Sequence, residues 1–296
     1  MDNIRGSVLM VLAMLGFAFE DMFIKKMAGA LHVGQILIVL GLGGAVVFAL
    51  IAKAYGDKLL TRDLAHPAVI LRNAGEVVGT LGFVTAIALT PISSASAIVQ
   101  AMPLAVTLGA ALFLGETVGW RRWLAVVIGL CGVLLIIRPG LQGFDANSLF
   151  AVQGVIGLAI RDLATRRIPA TITSRQLSTY AFAVIVPTGA VVLWLTGTGM
   201  VMPDAVNMLR IGGAVVVGVA AYYTLVAATR IGDMSVIAPF RYSRLIFALF
   251  IGVLVFGERP DALTLTGAAI IVTSGIYTMW RESRLRRASL ATQPTV

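Results

Sequence analysis

Residues 16–26 read GFAFEDMFIKK and residues 157–167 read GLAIRDLATRR. Aligned, they match Gly16 with Gly157, Ala18 with Ala159, Asp21 with Asp162, and the closing pair Lys25–Lys26 with Arg166–Arg167, at a constant offset of 141 residues. A second match follows at an offset of 142, where FLGE at 113–116 meets VFGE at 255–258. Apolar matches between hydrophobic segments are cheap. Acids are scarce here, only 14 in 296 residues, so the pairs Asp21/Asp162 and Glu116/Glu258 carry the weight. The chain therefore reads as one unit written twice, 1–141 and 142–282, with a short basic tail at 283–296.

Composition says what kind of unit is repeated. The chain is 58% hydrophobic and 12% charged, with a mean hydropathy of +0.94, whereas globular domains run at about 45–50% apolar and about 25% charged. A bilayer core about 30 Å thick takes about 20 residues of helix to cross. Apolar runs of that length fall at 4–26, 33–53, 67–89, 93–114, 120–138, 148–166, 177–196, 208–228, 234–256 and 262–281. Helix is the expected conformation, because an open strand edge in lipid leaves backbone groups unsatisfied at several kcal/mol each. The third and fourth runs are nearly continuous, divided by the turn chemistry of Thr90-Pro91, Ser93 and Ser94. The first run resembles a secretory signal but passes Gly16 with no A-x-A-like site, so it is retained as a membrane helix. The expectation is an all-α integral membrane protein of ten transmembrane helices, five per repeat.

Charge orients it. With the N-terminus inside, 14 Lys and Arg fall in inside loops and tail, against Lys25, Lys26, Arg138, Arg210 and Arg259 outside. By the positive-inside rule both termini are cytoplasmic. Five is odd, so the second copy inserts upside down relative to the first. The same rule accounts for the net charge of +9 and pI of 10.3 without nucleic acid, since the basic residues are dispersed between apolar runs. Cys131 lies alone in an apolar run, which excludes a disulfide framework or a Cys-based metal site. His32 and His66 fall near span ends and read as interfacial, and no metal or cofactor is expected.

Inverted repeats characterise secondary transporters, with a site near the midplane and two exchangeable conformations. An intramembrane enzyme would need a motif such as H-E-x-x-H, G-x-S-x-G or paired Asp-rich segments, and none occurs; G-x-x-x-x-G-K-[ST] is absent too. A membrane assembly partner without transport is the remaining alternative. The run from Ala88 to Leu104 (ALTPISSASAIVQAMPL), the LGE that follows it, and the GE before the last span resemble the EamA-type branch of the drug/metabolite transporter superfamily. The resemblance covers both halves. It implies a bacterial inner-membrane carrier for small organic metabolites such as amino acids or vitamins, working by alternating access, as a monomer or homodimer, with a proton or counter-substrate as candidate coupling partner. One departure stands out: the second half has Leu245 where the first has Pro103, and its proline, Pro239, comes earlier.

Charges within spans mark the candidate site, because an ionised residue at a helix centre costs about 2.5–3.5 kcal/mol on insertion scales and needs protein or water beside it. They are Glu20, Asp21, Arg72, Glu76, Arg161, Asp162, Arg241 and Arg244, four of each sign. Arg72 and Glu76 are spaced for an i,i+4 pair, with Asn73 beside them; Glu76 and Asn73 are candidates for substrate contact. Arg241, Tyr242 and Arg244 lie within one turn. An arginine fork suits a carboxylate or phosphate, and these three are the expected anchor. Gln100, at the repeat position of Tyr242, and the pair Tyr222–Tyr223 complete the expected lining. Glu20, Asp21, Arg72, Arg161 and Asp162 are expected as ion pairs or coupling groups, with Lys25 or Arg161 as partners for the first two. The substrate expected from this set is a small zwitterionic or anionic molecule with an apolar or aromatic portion.

Overall fold

The computed structural model describes residues 2–115, 119–141, 143–169, 171–231 and 234–291, and among them there is no strand. The first half contains α1 (Asp2–Met27), α2 (Val33–Ala54), α3 (Pro67–Leu89), α4 (Ile92–Val99), α5 (Met102–Phe113) and α6 (Trp120–Ile137). The second contains α7 (Ser148–Thr165), α8 (Ser174–Leu195), α9 (Ala205–Ile231), α10 (Met234–Ile237), α11 (Ser243–Phe256) and α12 (Ala262–Ala291). Helices α4 and α5 form one broken span. Helix α10, a 3-10 turn over Ala238–Tyr242 and α11 form another. Among the described residues nine segments are long and apolar enough to cross a bilayer. The tenth is α3, with 23 residues, in which Arg72, Asn73 and Glu76 dilute the apolar content. Helix continues past the last span to Ala291, into the basic segment.

Local chemistry sets the ends. His32 and His66, which read as interfacial, cap helices: their Nδ1 atoms accept from the N–H of Gly34 at 3.1 Å and of Ala68 at 3.2 Å. Pro67 then opens α3, where its missing N–H is no loss. Thr90 turns extended before Pro91 and stops that helix. Pro103 cannot donate to the carbonyl four residues back and its ring crowds that carbonyl, so α4 ends at Val99 and α5 starts at Met102. In the ninth span Pro239 falls earlier, and the chain passes through the 3-10 turn before α11 begins. The breaks are at equivalent places, Gln100–Ala101 and Arg241–Tyr242, although the prolines are not.

The halves interleave. Helix α1 packs chiefly on α9, α3 on α7, α2 on α8 and α6 on α12, so each of these takes its main partner from the other repeat. The first two interfaces are the same contact made twice. A Cβ at Gly157 would meet Gly79 and come 2.8 Å from the Gly75 carbonyl oxygen; one at Gly16 would come 2.8 Å from the Ala221 Cβ and 3.6 Å from the Val217 carbonyl oxygen. Gly16 and Gly157 are 141 apart, and the pairs Gly75/Val217 and Gly79/Ala221 are 142 apart.

A second repeated device joins helix to loop. The buried Gln35 side chain donates to the Val201 carbonyl at 2.5 Å and accepts from its N–H at 3.0 Å. Its repeat mate Gln176 donates to the Lys58 carbonyl at 2.7 Å and accepts from the Thr173 N–H at 2.7 Å. Each glutamine thus pins a loop of the opposite half. At the Gln176 end, Arg175 bonds Asp57 at 2.7 Å and Tyr180 donates to the Leu59 carbonyl at 2.6 Å. The hydrogen bond and charge of Arg175, with Thr173, hold the Asp57 carboxyl below the usual carboxylate range. A shared apolar core from α1, α2, α3, α4, α11 and α12, including Ile24, Leu37, Ile87, Ile98, Leu245 and Ile271, holds the broken spans in place.

Candidate substrate site

The two breaks meet. Where a helix is interrupted, backbone groups lose their intrahelical partners, and the Gln100 side-chain amide donates to the Arg241 carbonyl at 3.2 Å. That bond joins the fourth span to the ninth. Discontinuous helices of this kind, paired across an inverted repeat, are where transporters expose backbone and side chains to a ligand.

Around the breaks most of the span charges neutralise one another. Asp21, 1% exposed, accepts from Arg244 Nη2 at 2.7 and 2.8 Å and from its Nε at 3.0 Å. The same guanidinium lies over the rings of Phe17 and Phe83, 5.3 and 5.0 Å from their centroids. This clamp ties α1 to α11. Between α3 and α7, Glu76 accepts from Thr80 at 3.0 Å and pairs with Arg161 at 3.4 Å and Arg72 at 3.7 Å. Arg161 also pairs with Asp162 at 2.8 Å, and Arg72 donates to the Asn73 side chain at 3.2 Å. Six of the eight charges are thereby matched. Among the described residues, the side chains of the other two, Glu20 and Arg241, make no hydrogen bond or ion pair. Arg241 is within electrostatic reach of Asp162, Arg161 and Arg244, and Glu20 of Asp21 and Arg244.

The aromatic residues divide. Tyr222 bonds Ser178 at 2.6 Å, sits edge-on to Phe48 at 4.9 Å, and lies within electrostatic reach of Arg72 and Arg161. Tyr223 is 66% exposed. The buried Tyr242 hydroxyl is pressed against Gly275 of α12 with no hydrogen-bond partner among the described residues. Its ring borders an apolar groove of about 420 Å³ between α11 and α12, lined also by Leu249, Ala268 and Val272. Thus Arg241, Gln100, Arg244, Asp21, Glu76, Arg161, Asp162 and Tyr222 surround the interior, Asn73 supports Arg72, and Tyr223 and the Tyr242 hydroxyl turn elsewhere. Among the described residues no group of three or more His, Cys, Asp or Glu could hold a metal ion.

Lys25 does not pair with Glu20 or Asp21 as the spacing suggests. It reaches the turn between α3 and α4, donating to the Thr90 carbonyl at 2.5 Å and pairing with Glu258 at 3.7 Å. Glu258 in turn accepts from the N–H groups of Ile92 at 2.6 Å and Ser93 at 3.1 Å, capping α4. Its repeat mate Glu116 lies outside the described residues. The Gln35 and Gln176 pins carry no recognised motif, and the one sequence signal for them is the 141-residue offset that relates them; Lys25 and Glu258 stand in the two repeat matches, but nothing in the sequence brings them together.

A ten-span bundle of two inverted repeats, with charges gathered at two facing helix breaks, defines a membrane carrier of the drug/metabolite transporter superfamily. The EamA-like transporter family model matches residues 4–138 and 147–280, and the chain belongs to that family. It is 24% identical over 279 residues to an S-adenosylmethionine uptake transporter of Rickettsia bellii, covering 93% of each chain. It is 30% identical over 198 residues to a riboflavin transporter of Vibrio cholerae, covering 67% of this chain and 66% of that one. A pseudopaline exporter of Pseudomonas aeruginosa is 25% identical over 284 residues, covering 93% and 96%. A solved crystal structure superposes with a TM-score of 0.64 at 18% identity, covering 96% of this chain and 99% of the other, and shares the fold. The chain is a multi-pass membrane transporter of small molecules and not an enzyme.

Proposed function

We propose that this transporter moves a small zwitterionic or anionic organic molecule with an apolar or aromatic portion across the bacterial inner membrane by alternating access, both termini being cytoplasmic. The observation that carries the reading is the guanidinium of Arg241 at the break of the ninth span, which has no hydrogen bond or ion pair among the described residues and is joined through its own carbonyl to Gln100 at the break of the fourth. A cation left without a protein partner in a membrane interior is costly, and a carboxylate or phosphate of the substrate supplies the missing acceptor with fork geometry. Arg244 plays a different part. Its guanidinium is committed to Asp21 and two rings, so it shapes the site and holds α1 against α11. The relatives named for S-adenosylmethionine, riboflavin and pseudopaline move metabolites of differing charge and in both directions, which supports a shared carrier frame with a variable site.

Flux into proteoliposomes tests this. Arg241→Ala is expected to abolish transport while leaving a folded protein of unchanged melting temperature, because no protein partner is stranded. Flux that survives Arg241→Ala, or that ignores neutralisation of the substrate's negative group, contradicts the reading.

A further inference from the structure

The repeat sets the two copies of the contact side by side, and at Glu20 and Arg161 they differ in the sign of the charge. In the second half's copy of the contact, Arg161 of α7 lies against α3 and pairs with Glu76 at 3.4 Å. In the first half's copy Glu20 of α1 takes the place of Arg161, offset by 141, and Gly218 of α9 takes the place of Glu76, offset by 142. The equivalence is spatial as well as numerical: a Cβ at Gly218 would lie 2.6 Å from Glu20 Oε1, so the carboxylate covers that glycine. One copy therefore holds a cation opposite an anion. The other holds an anion opposite a residue with no side chain.

We infer that Glu20 and Gly218 form a cation-binding subsite, in which Glu20 recognises the ammonium or other cationic centre of the substrate while Arg241 takes its negative group. Three facts converge on it. Glu20 is half-buried and, among the described residues, without hydrogen bond or ion pair. Gly218 brings no side chain to the position that the counter-ion Glu76 holds in the other copy, and the Glu20 carboxylate lies against it. Glu20 and Arg241 are both within electrostatic reach of Arg244, whose own charge is cancelled by Asp21, so an anion and a cation, each without hydrogen bond or ion pair among the described residues, lie near a neutral clamp. That arrangement complements a zwitterion and penalises a pure anion, because a ligand lacking the cation leaves Glu20 buried and unmatched. The inference rests on the transport reading and narrows its substrate class.

The test uses the full-length protein, with binding by thermal shift and flux in proteoliposomes. The probes are the amino acids as zwitterions, their N-acetyl or ester derivatives, succinate as an anion and riboflavin as an uncharged solute. Wild type is expected to bind an ammonium-bearing probe, and N-acetylation of that probe to weaken binding about thirtyfold or more, as for removing one partner of a buried charge pair. Glu20→Gln is expected to show the same loss towards the free amine and none towards the N-acetyl form. Gly218→Ala, which pushes on the Glu20 carboxylate, is expected to act in the same direction more weakly. Binding confined to probes without a cationic centre, or undiminished affinity for the amine in Glu20→Gln, overturns the subsite. If Glu20→Gln keeps that affinity but loses acceleration by a pH gradient, Glu20 carries a proton and the subsite is likewise overturned. Succinate flux that needs Arg241 and not Glu20 leaves the transport reading standing and removes this one alone, whereas transport confined to riboflavin overturns both.

Discussion

The interfaces α3·α7 and α1·α9 descend from the same contact and do different work. In α3·α7 glycines bring two backbones together, and the charged side chains beside them pair completely through Glu76, Arg161 and Asp162. In α1·α9 the close approach is side chain against glycine, Gly16 on Ala221, and Glu20 is left facing Gly218. Duplication supplies two copies of a packing solution, and only one has to hold the bundle together. The other is free to drop a counter-ion and take up a ligand.

The largest effect expected from breaking this contrast comes from Glu76→Ala, which strands Arg72 in a buried setting and leaves Arg161 to Asp162 alone. A loss of about 3–5 kcal/mol is expected, seen as a sharply lower melting temperature in detergent, whereas Glu20→Ala strands nothing and leaves the melting temperature near wild type. Next come the glycines. Gly157→Ala drives a methyl into the α3 backbone and is expected to cost about 1–3 kcal/mol by overpacking. Gly16→Ala, which meets a single methyl, is expected to cost visibly less; equal losses would dissolve the distinction between the two interfaces. Smaller again are the pins, where Gln35→Ala and Gln176→Ala each remove part-buried hydrogen bonds to loops that water can reach, at about 0.5–1.5 kcal/mol per bond. Faster amide exchange is expected at 199–203 in the first and 56–60 in the second, and not at the other loop. The smallest effect is a pH dependence. The Asp57 carboxyl is lowered by Arg175 in the folded state, so its contribution is full above the unfolded carboxylate value of about 4 and fades as pH falls below it. Asp57→Asn is expected to remove that acid-side slope from melting curves.

Much of this architecture is legible in the chain itself. Asp21/Asp162 and the basic pairs give the repeat, the apolar runs give the spans, and the scarcity of charge picks out the eight interior residues. The local pair Arg72–Glu76 is legible from its spacing, but pairs between helices are not, because they depend on helix rotation and on distant partners: Asp21 meets Arg244, 223 residues on, and not the nearby Lys25. Tyr222 and Tyr223 are adjacent in sequence, and helix periodicity sends them to different sides, one to Ser178 and one to an exposed position. Pro103 announces a break in the fourth span. The matching break in the ninth, the 3-10 turn over Ala238–Tyr242, carries its proline early, at Pro239, with Leu245 at the repeat position of Pro103, so that its form emerges only from the fold.

Amide hydrogen exchange on the equivalent stretches 71–83 of α3 and 213–225 of α9, in one sample and without ligand, tests most directly whether one copy holds while the other yields. The account predicts that α9 exchanges markedly faster than α3. Equal rates, or slower exchange in α9, would mean that the unmatched glutamate sits in an interface as rigid as its ion-paired twin, and the division of labour between the repeats would be wrong.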